Sequence, residues 1–175
     1  SWIDASRVVA LGHRRLSILD LSDTGSQPMQ SSCKRFVITF NGEIYNHLSL
    51  RKELENEIGI KWKGTSDTET LVQAISCWGL QHTLLKLRGM FAFAVWDRKL
   101  KTLSLARDPI GEKHLYYGWQ GNTFVFGSEL KALKKHPDFQ KKICRNSLSL
   151  FLLHNYVPAP YSIFQGINKL LPGHF

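Results

Sequence analysis

Residues 36–46 read FVITFNGEIYN, and the first five form a β-branched and aromatic run that ends in Asn41-Gly42. The run has the composition of a strand, and Asn-Gly tolerates positive φ and close backbone approach. A strand is therefore expected to stop where a polar turn begins. Downstream, Leu50, Leu54 and Ile58 recur at the spacing of one helical face, which predicts an amphipathic surface helix. Ser66-Asp67-Thr68-Glu69 then precedes the apolar run LVQAI. A Ser followed three residues later by Glu is the pattern of a capping box, so a second helix is expected to begin there.

Working outward, residues 7–11 and 15–19 are short Val, Ile and Leu-rich runs followed by the turn-rich LSDTGSQPM; they read as strand, turn, strand, loop. MFAFAVWD (90–97) and TLSLARD (102–108) flank four residues, three of them charged, and read as a hairpin. LYYGW and TFVFGS flank Gln120-Gly121-Asn122 and read as another. Further helices are expected near 129–136 and 146–154. Strands grouped in meanders rather than in strict β-α-β alternation imply an α+β fold with helices on antiparallel sheet.

At 175 residues and 43% hydrophobic content, the chain can bury one substantial core, and a single domain over 1–175 is the expectation. It has neither an apolar run of membrane-spanning length nor the zones of a signal peptide, so a soluble, cytoplasmic setting without a membrane partner is expected. Cys33, Cys77 and Cys144 are odd in number and widely spaced, which suits reduced structural thiols better than zinc or redox chemistry. The net charge of +9 is dispersed apart from residues 131–145, KALKKHPDFQKKICR. That stretch lacks the interleaved aromatics that stack single-stranded bases, so a solvated face or a contact with a partner domain is expected and not a nucleic-acid partner. The seven His residues form no H-x-x-x-H pair, and no metal site is expected.

LGHRRLSILDLS (11–22), FNGEIYN (40–46), SDTE (66–69), RGMFAFAVWD (88–97), LARDPIGEKHLYYG (105–118), SELKAL (128–133) and the final YVPAPYSIFQGINKLLPGHF follow one another in this order. The ordered set resembles the class II glutamine amidotransferase domain of asparagine synthetases and related amidotransferases, over nearly the whole chain. The resemblance implies an amino-terminal-nucleophile hydrolase fold, an αββα sandwich of two antiparallel sheets flanked by helices. It implies that the Asn41 side-chain amide and the Gly42 backbone N–H form an oxyanion hole, where fixed donors stabilise a tetrahedral intermediate without reorganisation. Arg15 would grip the substrate glutamine's α-carboxylate through paired hydrogen bonds. Asp67, helped by Glu43, would pair with the α-ammonium, and Leu16 and Ile18 would supply backbone and apolar contacts. Taken alone, Asn41-Gly42 would read as a turn, Asp67 as a helix cap and Glu43 as a solvated turn residue.

In the family the nucleophile is an amino-terminal cysteine whose own α-amino group can activate its thiol. That cysteine, the first strand and an R-G-P-D segment are expected upstream of Ser1. Ser1 and Cys33 are not expected to replace it, so residues 1–175 are expected to be inactive alone. Glu112 and His114 stand where relatives usually have an apolar or basic residue and a proline, a departure that concerns packing. The resemblance further implies that the parent protein passes ammonia to a carboxy-terminal synthetase domain, which would use ATP and magnesium to form asparagine from aspartate. A homodimer is one expected assembly, and no cofactor is expected in this domain. The alternative is a non-catalytic glutamine-binding or regulatory interaction module.

Overall fold

The computed structural model describes residues 1–14 and 23–175. It contains two compact units, Ser1–Leu105 and Ala106–Phe175. In the first, β1 (Trp2–Ile3) and β2 (Ala10–Leu11) form an antiparallel ribbon. The main sheet has the order β3 (Met29–Gln30), β4 (Phe36–Ile44), β5 (Gly89–Asp97), β6 (Thr102–Arg107). Residues 90–97 and 102–107 are thus adjacent strands, as their sequence suggests.

Strand β4 differs from expectation at the position that matters most. It does not end at Asn41-Gly42 but continues to Ile44, because β5 pairs with its whole length down to Gly42↔Phe91, Glu43↔Met90 and Ile44↔Gly89. The turn preference of Asn-Gly is overridden by a nine-residue partner strand. Two glycines make the extension fit. A Cβ on Gly42 would lie 2.0 Å from the Met90 carbonyl oxygen, and one on Gly89 would lie 2.1 Å from the Glu43 carbonyl oxygen. Together they flank the Glu43–Met90 pair and let the two backbones close on each other.

Alternation along β4 sorts its side chains. Ile38, Phe40 and Ile44 share a buried face with Val95, Phe93 and Phe91 across the ladder. Thr39, Asn41 and Glu43 share the other, where the small Ala94 and Ala92 stand opposite Thr39 and Asn41.

Helix α1 (His47–Ile58) buries Leu50 and Leu54 as the periodicity predicts, but Ile58, its last residue, is left 52% exposed. Helix α2 (Asp67–Trp78) begins where expected, with the Ser66 hydroxyl accepting from the Thr68 N–H at 3.1 Å. The reciprocal half of the capping box does not form. The Glu69 carboxylate instead accepts from the Lys63 and Gly64 N–H groups at 2.9 and 3.0 Å and faces Arg51 at 3.5 Å. Arg51 donates to Thr70 Oγ1, Gly64 O and Ser66 O and lies over the Trp62 ring. Buried charge thus fixes the loop that enters α2. Helix α3 (Leu80–Lys86) follows and leads into β5.

The second unit is built on a three-stranded antiparallel sheet, β8 (Thr123–Gly127), β7 (Tyr116–Gln120), β9 (Ile167–Lys169), with α4 (Leu130–Leu133) and α5 (Arg145–His154). Val125, Leu133, Phe139, Phe164 and Ile167 form its core. Within residues 131–145 Leu133 and Phe139 are buried while the lysines are exposed, which matches a solvated basic face. The Asp108 carboxylate accepts from the N–H groups of Ile110, Gly111, Glu112 and Lys113 at 2.5–3.1 Å. Arg107 donates to the carbonyls of Gly111, Lys113 and Leu170, each at 2.6 Å. His114 approaches the same guanidinium at 3.4 Å, and burial first, then Arg107, holds its pKa below the usual value.

Candidate functional site

The end of β4 is open on one side. In an antiparallel ladder the N–H and C=O of one residue face one neighbour and those of the next residue face the other. The Tyr45 N–H donates to Arg88 O at 2.8 Å, continuing the 43↔90 register toward β5. Residues 41, 43 and 45 therefore bond toward β5, and residues 40, 42 and 44 present their backbone groups to the opposite edge. On that edge β3 pairs only as far as Met29↔Ile38.

Side chains take over from β3 there. The Phe40 N–H donates to Gln27 Oε1 at 2.7 Å, and the Ile44 N–H donates to Asp67 Oδ2 at 2.9 Å. The Gly42 N–H lies between these two on the same edge. Asn41, one residue before it, is exposed on the sheet face shared with Thr39 and Glu43. A backbone donor and a carboxamide donor from consecutive residues can converge on one anionic oxygen.

Asp67, the first residue of α2, is only 6% exposed. Burial pushes its carboxyl above the usual carboxylate range, against the Ile44 N–H and the neighbouring His47, which lower it. Its charge is therefore under-compensated, and a cation arriving beside it would be stabilised. His47 Nδ1 is buried without a hydrogen-bond partner among the described residues, and burial holds this imidazole below its usual pKa.

The structure brings Asn41, Gly42, Glu43 and Asp67 to one strand end. Arg15, Leu16 and Ile18 lie outside the described residues. Just before them, Gly12 O accepts from Thr39 Oγ1 at 3.3 Å, on the same face of β4 as Asn41.

The cysteines lie elsewhere. Cys33 precedes β4 and bonds with the Ser31 and Ser76 hydroxyls at 3.2 and 3.1 Å. Burial raises its pKa, but those hydroxyls outweigh burial and the net shift is downward. From Phe36 to Asn41, five residues of strand at about 3.3 Å each put roughly 16 Å between that end of β4 and the Asn41-Gly42 end. Cys77 sits ten residues along α2 from Asp67, roughly 15 Å at helical rise. Cys144 belongs to the second unit.

Sequence reasoning missed Gln27, Gly89 and His47. Gln27 stood inside a stretch read only as loop, and nothing local shows that its side chain would extend a ladder. Gly89 carried a usable signal, since a glycine opening a β-branched and aromatic run marks close backbone approach.

A family model for the glutamine amidotransferase domain matches residues 1–175. Asparagine synthetase (glutamine-hydrolyzing) 3 of Bacillus subtilis is 41% identical over 95% of this chain and 27% of its own length. Putative asparagine synthetase (glutamine-hydrolyzing) 2 of Methanocaldococcus jannaschii is 35% identical over 93% of this chain and 34% of its own length. The chain thus spans about a quarter to a third of these curated relatives. Among solved structures, the glutamine phosphoribosylpyrophosphate amidotransferase of B. subtilis, complexed with ADP and GMP, matches with a TM-score of 0.59 at 27% identity, over 70% of this chain and 28% of that one. The fold is α+β, of the amino-terminal-nucleophile hydrolase type with antiparallel sheets. From Ser1 to Phe175, the chain belongs to the glutamine amidotransferase domain family and is related to the asparagine synthetases.

Proposed function

We propose that this chain binds glutamine at the open end of β4 and helps to hydrolyse its side-chain amide, supplying ammonia to a synthetase domain of the same protein. The observation that carries the reading is the edge itself: the outward Gly42 N–H beside the under-compensated Asp67 carboxylate. Gly42 and Ile44 are two residues apart, about 7 Å along a strand, and the Ile44 N–H marks the carboxylate. In glutamine, four bonds of about 1.5 Å separate the α-nitrogen from the side-chain carbonyl carbon, roughly 5 Å when extended. With a hydrogen bond at each end, that length suits an ammonium at Asp67 and an oxyanion at Gly42.

In this reading Asp67 and Glu43 take the α-ammonium, and Arg15 clamps the α-carboxylate, with Leu16 and Ile18 beside it. The Asn41 carboxamide and the Gly42 N–H hold the oxyanion. The attacking thiol is neither Cys33 nor Cys77, which lie about 15 Å from the two ends of the site. An amino-terminal cysteine fills that role, and a polypeptide of residues 1–175 releases no ammonia from glutamine. Turnover by that polypeptide that disappears in Cys33→Ser would relocate the nucleophile.

The released ammonia serves an ATP- and magnesium-dependent synthesis, most simply of asparagine from aspartate, in the cytoplasm. Both cofactors belong to the synthetase domain. Exposed Leu152, Leu153 and Tyr156 in and beyond α5 suit a face that a further part of the protein covers.

The test is a pair of variants in the full-length protein. Asn41→Ala lowers the glutaminase kcat about a hundredfold by removing a transition-state donor. Arg15→Ala weakens glutamine binding and leaves synthesis from free ammonia intact, because ammonia needs no clamp. Equal loss of both reactions in Arg15→Ala would sink the site assignment.

A further inference from the structure

We propose that Gln27 is a positioning residue for this reaction: its carboxamide ties the β4 edge to the start of α2, fixing the Gly42 N–H relative to the Asp67 carboxylate. The inference rests on the functional reading above and adds to it a residue that touches neither substrate nor nucleophile.

The register shows what Gln27 replaces. Met29↔Ile38 and Gln30↔Val37 have paired numbers that sum to 67, so residue 27 falls opposite Phe40. A continuing strand would offer the backbone carbonyl of residue 27 to the Phe40 N–H. The chain leaves the sheet at Pro28, which carries no N–H of its own, and the Gln27 side-chain oxygen accepts from Phe40 instead, at 2.7 Å. The other end of the same carboxamide donates to Thr68 Oγ1 at 3.2 Å. Thr68 is 3% exposed, follows Asp67 directly, and has its own N–H capped by Ser66.

Gln27 therefore links the two elements that carry the proposed oxyanion donor and the proposed ammonium ligand. Asp67 makes the second link, through the Ile44 N–H. With Gln27 on one side of Gly42 and Asp67 on the other, the donor sits on a strand end held at both flanks. Preorganised donors act only if they are already in place when charge develops, and small displacements are costly.

The test compares Gln27→Leu with Gln27→Glu in the full-length protein. Leu keeps the bulk and removes both hydrogen bonds. Glu keeps the acceptor for Phe40, and the Thr68 hydroxyl can turn to donate to it. Gln27→Leu is expected to lower the glutaminase kcat about tenfold or more, with the glutamine KM changed less than about threefold and synthesis from free ammonia unchanged. Gln27→Glu is expected to recover most of the loss. Amide hydrogen exchange should quicken at Phe40, and less at Ile44, in Gln27→Leu alone. A Gln27→Leu kcat within about twofold of the parent value, or parallel loss of the ammonia-dependent reaction, would overturn the proposal. If the parent protein releases no ammonia from glutamine, the glutaminase reading fails by itself. Exchange then decides the link, and an unchanged rate at Phe40 would overturn it.

Discussion

Two buried carboxylates, one in each unit, have opposite surroundings. Asp108, 1% exposed, accepts four backbone N–H groups from the loop that follows it, with Arg107 holding three carbonyls of the same unit. Asp67 is nearly as buried but accepts from the Ile44 N–H, and its pKa is driven upward by that burial. A charge saturated by its own chain serves the fold, because every donor it accepts from is already part of a loop. An under-saturated charge destabilises the empty protein and is relieved when a cation arrives. In the proposed reading this contrast separates a structural acid, Asp108, from one that takes a ligand, Asp67.

The largest effect should come from the saturated acid. Asp108→Ala takes the carboxylate from four loop N–H groups, of which, among the described residues, only Gly111 keeps a second acceptor, the carbonyl of residue 108; at 1–3 kcal/mol for each group left unsatisfied, partly recovered by water, about 4 kcal/mol of stability is lost. Chemical denaturation monitored on the second unit's tryptophan, Trp119, measures it. A loss below about 1 kcal/mol would break the contrast.

Next comes the shape of the strand end beside Asp67. Gly42→Ala places a Cβ 2.0 Å from a backbone oxygen, with nothing flexible to move aside. About 3 kcal/mol of destabilisation is expected, and Gly89→Ala should match it because its clash is the mirror of the first. A tolerated alanine at either position would mean that β4 and β5 part before Ile44.

Asp67→Asn sharpens the comparison from the other side. The amide oxygen still accepts from the Ile44 N–H, so the denaturation midpoint at neutral pH should hold or rise. Glutamine affinity should fall about a hundredfold with the lost charge-assisted contact. Calorimetric titration in the full-length protein reads the binding. A variant that loses stability as Asp108→Ala does would place Asp67 among the structural acids.

Much of this is legible in the sequence, and the limits have physical causes. The hairpins and α1 follow from local periodicity, which β pairing and packing merely confirm. Asn41, Gly42, Glu43 and Asp67 were named through the resemblance carried by FNGEIYN and SDTE, and the structure brings them to one strand end. The continuation of β4 through Asn41-Gly42 was not legible, since a nonlocal partner strand outweighs a dipeptide's turn preference. The same holds for Glu69, whose place in a capping box was locally plausible but whose carboxylate was claimed by residues 63 and 64 and by Arg51. Gln27 was hidden for a related reason: its two partners lie 13 and 41 residues away.

The smallest effect is a slope, and its sign is the test. Asp67 has its folded pKa raised above the ordinary 3.8, chiefly by burial. Above pH 3.8 the unfolded chain has released this proton while the folded protein still holds it, so stability falls as pH rises through the folded value. One proton limits the slope to about 1.4 kcal/mol per pH unit. Asp4 has the opposite sign, because the Ser6 hydroxyl first, with Lys101 assisting, lowers its carboxyl to about 2. Its contribution is present above 3.8 and is lost as pH falls toward about 2. The two windows meet at the ordinary value and do not overlap. His47, depressed by burial, adds stability as pH rises toward 6.5 and so opposes Asp67 there. Subtracting the pH–stability curve of Asp67→Asn from that of the parent chain removes Asp4 and most of the His47 contribution. A difference that falls with pH above 3.8 identifies a carboxylate waiting for a cation. A difference that rises would mean that the folded chain already satisfies the Asp67 charge, and the distinction between the two units' buried carboxylates would collapse.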